Sequence, residues 1–254
     1  MTLTLETPTI EQCYNWALFL DIDGTLVDIA PTPDSVTVLP TLPTLLNDLR
    51  QTLGGALALI SGRSMIEIDY LFPGRLDAAG THGVEWRHAG TMLPEDGNHH
   101  DAMSNLMPEI EDRVRKLPGL LIEKKSHSFA LHYRQHPERE SDAWSLAGSA
   151  LQALGADFRL LFGKGVVEIV AANADKGMAI KRFMALPPYR GRIPVFVGDD
   201  VTDECGFQVV NQMGGVSIRV GDTSFSLARF KIGTPPELRA WLSAIAIHLE
   251  TTRP

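Results

Sequence analysis

The hydrophobic positions of this chain fall into two patterns. Unbroken apolar runs end abruptly in polar residues. Residues 16–20 lead into Asp21-Ile22-Asp23-Gly24-Thr25, residues 56–60 into Ser61-Gly62-Arg63, and residues 193–197 into Gly198-Asp199-Asp200-Val201-Thr202-Asp203. Short continuous runs closed by Asp, Ser or Gly predict strands buried on both faces, as in a parallel sheet. Helical spacing fills the intervals. Leu42, Leu45, Leu46, Leu49 and Leu53 recur on one face before Gly54-Gly55 stops the helix. Ser64 with Glu67 predicts a capping box opening the next helix, and residues 76–79 a strand before the turn Gly80-Thr81-His82-Gly83. Residues 28–40 carry Pro31, Pro33 and Pro40 and predict a loop. Later, Asp175 is placed to cap a helix through Ile180, Phe183 and Met184, and residues 216–220 read as a strand. Thr234-Pro235-Pro236-Glu237 predicts a capping box for a last helix bearing Leu238, Trp241, Leu242, Ile245 and Leu249.

The middle of the chain has a different rhythm. Met103, Leu106, Met107, Ile110, Val114 and Leu117 predict one amphipathic helix, followed by strands over residues 120–124 and 128–134. A second helix begins at Pro137, with Ala143, Ala147, Ala150, Leu151 and Leu154 on one side. Residues 158–162 and 166–170 then flank Gly163-Lys164-Gly165, a hairpin signal. Helix-strand-strand occurs twice, which predicts an inserted antiparallel α+β domain over residues 103–172. Residues 1–102 and 173–254 then form a doubly wound, mostly parallel α/β core. His99 and His100 are expected in a solvated loop before the insert.

Bulk properties narrow the class. The chain has 254 residues, 44% hydrophobic and 21% charged, with a formal net charge of -8. That acidic balance argues against a nucleic-acid surface, which needs clustered cations. Cys13 and Cys205 match no metal spacing and are too few for a disulfide framework, so a reducing, cytoplasmic setting is expected. The N-terminal residues lack the pattern of a signal peptide, and no uncharged apolar span is long enough for a membrane helix. A soluble protein without membrane partners is expected, as a monomer.

Parallel strands bring their carboxyl ends to one edge, so Asp21 and Asp23, Ser61, and Asp199, Asp200 and Asp203 should converge. Carboxylates about 4 Å apart repel by roughly 1 kcal/mol in water and roughly 4 kcal/mol at an effective dielectric of 20. Such a group needs a cation, and oxygen-only ligands with room for water and phosphate suit Mg²⁺. Lys176, at the start of its helix, could add a second positive charge.

These residues, in this order, resemble the four motifs of the haloacid dehalogenase superfamily of phosphohydrolases. The resemblance implies that Asp21 attacks phosphorus to form an aspartyl phosphate, and that Asp23 is the general acid and base. It implies Mg²⁺ held by the Asp21 carboxylate, the Asp23 carbonyl and Asp199, with Asp200 or Asp203 acting directly or through water. Ser61 would bond the phosphoryl oxygens and Lys176 would steady Asp21. Ile60-Ser61-Gly62-Arg63, Gly80-Thr81-His82-Gly83, Asp175-Lys176-Gly177 and Gly198-Asp199-Asp200-Val201-Thr202-Asp203-Glu204 narrow this further. Together they resemble the trehalose-6-phosphate phosphatase family over nearly the whole chain. In that family the insert is a cap that closes over the sugar. By that likeness Ile22, Gly62, Arg63 and His82 join the substrate site, and Glu123, Lys125 and Glu168 read the distal glucose. Sucrose phosphate or another sugar phosphate, a mutase, and a non-catalytic sugar-phosphate sensor are the competing readings.

Overall fold

The computed structural model describes residues 7–11, 13–32, 35–74, 76–93, 99–125, 128–222 and 225–252. The first six residues, and Pro33 of the proline-rich loop, lie outside them.

β1 (Trp16–Leu20) is buried at every position, as its unbroken apolar run requires. α1 (Thr41–Thr52) buries Leu42, Leu46 and Leu49 and ends before Gly54, whose φ of +61° continues no right-handed helix. β2 (Leu57–Ile60) is again wholly buried. α2 (Met65–Leu71) opens on the expected capping box, with Ser64 and Glu67 bonding reciprocally. β3 (Asp77–Gly80) is followed by β4 (Glu85–His88) and β5 (Thr91–Leu93), a hairpin that apolar periodicity did not reveal.

α3 (His99–Arg115) starts earlier than the apolar pattern suggests, so His99 and His100 are in its first turn and not in a loop; their side chains lie outside the described set. β6 (Leu121–Lys124) and β7 (Phe129–His132) follow. Pro137–Arg139 forms a short 3₁₀ turn, so α4 (Glu140–Leu154) begins three residues after the proline expected to start it. β8 (Phe158–Gly163) and β9 (Val166–Ala171) form the expected hairpin, with Gly165 at a φ of +72°. The chain continues through α5 (Lys176–Met184), β10 (Ile193–Gly198), α6 (Glu204–Gln212), β11 (Val216–Val220), β12 (Phe230–Ile232) and α7 (Pro235–Thr251). The box expected at α7 is only half formed. Thr234 accepts from the Glu237 amide, but Glu237 Oε2 takes the Gly233 amide at 2.9 Å instead of that of Thr234.

The chain divides into two compact units, Met1–Leu93 with Asp175–Pro254, and Pro94–Ala174. In the first unit one eight-stranded sheet runs β12-β11-β10-β1-β2-β3-β4-β5. Its first six strands pair in parallel and the last two antiparallel. α1 packs with α7, and α5 with α6. This is the doubly wound, mostly parallel sheet expected. In the second unit four antiparallel strands, ordered β6-β7-β9-β8, carry α3 and α4 around a separate core that includes Met103, Phe129, Leu131 and Ala147. Among the described residues no helix is long and apolar enough to cross a membrane.

Candidate active site

The site begins at the sheet's interior, where β1 lies between β2 and β10. The Asp21 amide donates to Val197 O at 3.0 Å, which extends the ladder by one residue beyond β1. Asp21 is thereby held at the strand's carboxyl end, beside the loop that follows β10. Its carboxylate lies with those of Asp199 and Asp203 in one buried group, with ligand oxygens within 4.8 Å of one another. Three carboxylates so close repel strongly in a partly dehydrated setting.

Lys176 opposes that repulsion. The Asp175 side chain accepts from the Met178 amide at 3.0 Å and sets the helix start, so Lys176 opens α5. The Lys176 ammonium donates to Asp21 Oδ1 at 2.7 Å and to Asp203 Oδ1 at 2.6 Å, and the residue is only 3% exposed. Burial by itself disfavours the ammonium, but Asp203 and Asp21 outweigh it and raise the Lys176 pKa. Asp21 moves well above the usual carboxylate range. Burial is the largest cause, Asp203 and Asp199 add to it, and Lys176 works against it.

The second oxygen of Asp203 accepts from the amides of Asp199 and Asp200, each at 2.9 Å. Asp203 therefore ties Lys176 to the turn that presents Asp199. Thr25, to which the sequence pattern assigned no role, donates to Asp21 Oδ2 at 3.1 Å and lies 3.4 Å from Asp199 Oδ1. Its place two residues after Asp23 was the available signal. Asp200 Oδ1 is buried with no hydrogen-bond partner. An all-oxygen donor set, a surplus of negative charge and that unpartnered oxygen together fit a hard divalent cation such as Mg²⁺.

Gly24 keeps this arrangement open. Its φ is +79°, and a Cβ there would overlap the Asp199 carboxylate. Gly24→Ala is expected to cost about 1–2 kcal/mol in left-handed strain alone, lowering Tm by about 3–8 °C. It should also displace Asp199 and weaken Mg²⁺ binding measured by calorimetry. Wild-type Tm and wild-type affinity would show that Asp199 has room to move.

Ser61 follows β2. Its amide donates to Ala79 O at 2.9 Å, and its hydroxyl accepts from the Arg63 amide at 3.1 Å. A Cβ on Gly62 would come within 2.7 Å of the His82 ring, so glycine lets that ring close on the turn. His82 is buried, holds a φ of +55°, and donates its amide to Ser61 O at 2.9 Å. The Ile22 carbonyl accepts from the amides of Leu26 and Val27 and folds its loop back on itself. Asp23 stands apart from the three clustered carboxylates. Both of its oxygens lie 2.7 Å from the Arg63 guanidinium.

In the second unit, Glu123, Ala130 and Glu168 are register partners on β6, β7 and β9, so their side chains share one sheet face. Lys125 Nζ lies 2.9 Å from Glu168 Oε1 and 3.6 Å from Glu123 Oε1. Two further residues join them. Ser128 Oγ donates to Glu168 at 2.8 Å, and His132 Nε2 lies 2.6 Å from Glu123 Oε2. Burial would raise the Glu123 pKa, but His132 and Lys125 outweigh it and lower it. Fixed carboxylates flanking an ammonium, across a small alanine, form a face rich in hydroxyl-binding groups.

Comparison with known proteins adds a family match, two relatives and a solved structure. A family model described as trehalose-phosphatase matches residues 19–231. A probable trehalose-phosphate phosphatase of Sinorhizobium fredii is 43% identical over 240 residues, covering 92% of this chain and 88% of that one. Trehalose-6-phosphate phosphatase of Escherichia coli is 40% identical over 255 residues, covering 98% and 92%. A solved structure, the C-terminal domain of trehalose-6-phosphate phosphatase from C. albicans, shares the fold with a TM-score of 0.81 at 18% identity, covering 97% of this chain and 99% of that one.

Proposed function

The chain belongs to the trehalose-phosphatase family, and from that membership we propose that it is a Mg²⁺-dependent phosphoric monoester hydrolase converting trehalose 6-phosphate to trehalose and phosphate. The observation that carries the chemistry is Asp21, buried at the end of β1 with Lys176 2.7 Å from one of its oxygens. Lys176 and Thr25 leave the carboxylate few orientations, and its burial leaves the anion poorly solvated and therefore reactive.

Asp21 attacks phosphorus, forming an Asp21 O–P bond as the bond from phosphorus to the sugar oxygen breaks. Asp23 gives its proton to that departing oxygen. In the second step Asp23 takes a proton from water as the water oxygen bonds to phosphorus and the Asp21 O–P bond breaks, which returns both residues to their starting states. Ser61 and the backbone of Ile22 and Gly62 bind the phosphoryl oxygens, and His82 closes the side of that turn. Asp21, the Asp23 carbonyl and Asp199 would hold Mg²⁺, with Asp200 contributing its unpartnered oxygen and Asp203 orienting the turn. Bound there, the cation supplies charge neutralisation for the phosphoryl oxygens. The second unit serves as the cap, where Glu123, Lys125 and Glu168 accept and donate hydrogen bonds to the distal glucose hydroxyls. Two cysteines without a disulfide suit a cytoplasmic enzyme, here taken to act as a monomer.

Phosphate release from a panel of sugar phosphates, with and without a chelator, tests this reading. The expected result is kcat/KM for trehalose 6-phosphate at least about 100-fold above that for sucrose 6-phosphate or glucose 6-phosphate, about 3 kcal/mol of discrimination. Chelation should abolish it and Mg²⁺ should restore it. Equal rates across the panel would sink the substrate assignment, and activity in chelator would sink the metal.

A further inference from the structure

Asp23 and Arg63, 40 residues apart in sequence, form a fork-to-carboxylate pair, with Arg63 Nε and Nη2 each 2.7 Å from one oxygen. The two partners are unequally fixed. The Asp23 side chain is 40% exposed and the Arg63 side chain only 8%. Arg63 is anchored through its backbone, its amide donating to Ser61 Oγ at 3.1 Å and its carbonyl accepting from Thr81 N at 2.8 Å. Its third guanidinium nitrogen lies 3.5 Å from Glu67 Oε1. Glu67 is itself held by the amide and hydroxyl of Ser64 in the capping box. The more buried and more anchored member of the pair is the arginine, and its Nε and Nη2 donors reach Asp23.

We propose that Arg63 is a positioning residue whose buried fork fixes the Asp23 carboxylate for proton transfer, and that it does not serve as a phosphate ligand. The inference rests on the acid-base role proposed for Asp23. A bidentate pair engages both oxygens, so one of the two bonds opens when that oxygen carries the proton. The other bond keeps the side chain aimed. The proton passes to the sugar oxygen as its bond to phosphorus breaks, and the hydrolytic water returns one to the same carboxylate.

The test compares Arg63→Ala, Arg63→Lys and Asp23→Asn on trehalose 6-phosphate and on p-nitrophenyl phosphate, whose leaving group departs without being protonated. Proton transfer contributes about 10²–10⁴-fold, so Arg63→Ala should lose about 30–300-fold in kcat/KM on the sugar ester. It should lose less than about fivefold on the aryl ester, with the inhibition constant of inorganic phosphate unchanged within about threefold. Arg63→Lys should show the same asymmetry, because an ammonium is a point charge without the fork. It also decides the matter if the alanine variant does not fold. The double variant should be no slower than Asp23→Asn alone. Equal losses on both esters with phosphate binding weakened more than tenfold would overturn the proposal, as would additive losses in the double variant. If Asp23→Asn leaves the sugar ester unaffected, the acid-base assignment itself fails. If Asp23→Asn is impaired and Arg63→Ala is not, only the positioning role fails.

Discussion

Asp21→Asn is expected to lower kcat by about 10⁵–10⁶-fold, the scale on which removing a nucleophile acts when the residues around it work as a unit. The amide is nearly isosteric, so its one oxygen still accepts from the Lys176 ammonium while its NH₂ donates to the Thr25 hydroxyl, but there is no anion to attack phosphorus. The fold should survive, and in one respect improve. The Asp21 pKa is raised in the folded protein, chiefly by burial. A group raised in this way gives its full stability below its unfolded-state pKa and loses it as pH rises through the folded value. Without Mg²⁺, the wild-type protein at neutral pH therefore carries a burden that asparagine removes. Denaturant titration in chelator should find the variant more stable than wild type at pH 7, with the gap closing towards pH 4. Retained turnover would sink the nucleophile assignment, and a variant less stable at pH 7 would sink the electrostatic account.

Lys176→Met carries the second large effect. Methionine fills a similar volume without charge, and it leaves Asp21 and Asp203 buried with no ammonium between them. Breaking a buried pair by removing one partner costs roughly 3–5 kcal/mol, which for a chain of this size is a fall in Tm of about 10 °C. Thermal unfolding in chelator measures it directly. Added Mg²⁺ should recover part of the loss by neutralising the same carboxylates. An unchanged Tm would mean that the carboxylates find other compensation, and the ammonium would then lose its structural role.

The parallel core was legible because its central strands β10, β1 and β2 are unbroken apolar runs, and burial on both faces leaves no other pattern. The hairpin β4 and β5 was not legible for the opposite reason. Its inward positions are Glu85 and Arg87, held by polar partners. Glu85 Oε2 accepts from the Met65 amide at 2.6 Å, and Arg87 donates to Leu76 O and Asp69. Alternation carried by buried charges looks polar throughout. The turn joining the two strands is Ala89-Gly90, both at positive φ, and alanine is not a residue that signals such a turn. α6 was obscured by its start: Asp199 to Asp203 read as site residues, and Gly206 interrupts the apolar face because it lies against the Phe196 ring. β12 is too short for any period to show. In the site, residue types after each strand suggested the carboxylate cluster and Lys176. The Asp23 and Arg63 pair and the Ser128 and His132 partners arise from the folding of separate elements, and no spacing encodes them.

The sheet order also has a consequence for how the molecule comes into being. β1 holds one edge against β2, but its other edge pairs with β10 from Trp16 and Ile193 through Leu20 and Val197. A ribosome that has delivered Leu93 has made both residues proposed for bond exchange at phosphorus. It has made neither Lys176 nor the strand that seals the far edge of β1. Until Gly198 emerges, the apolar strand β1 has one open edge that could pair with another extended chain, and non-local pairing of this kind is slow. Under the proposed mechanism, Asp21 is synthesised long before the lysine and the strand that make it competent. The far edge of β1 thus stays open until the second unit and β10 have both been made, and under the proposed mechanism no phosphate is cleaved before then.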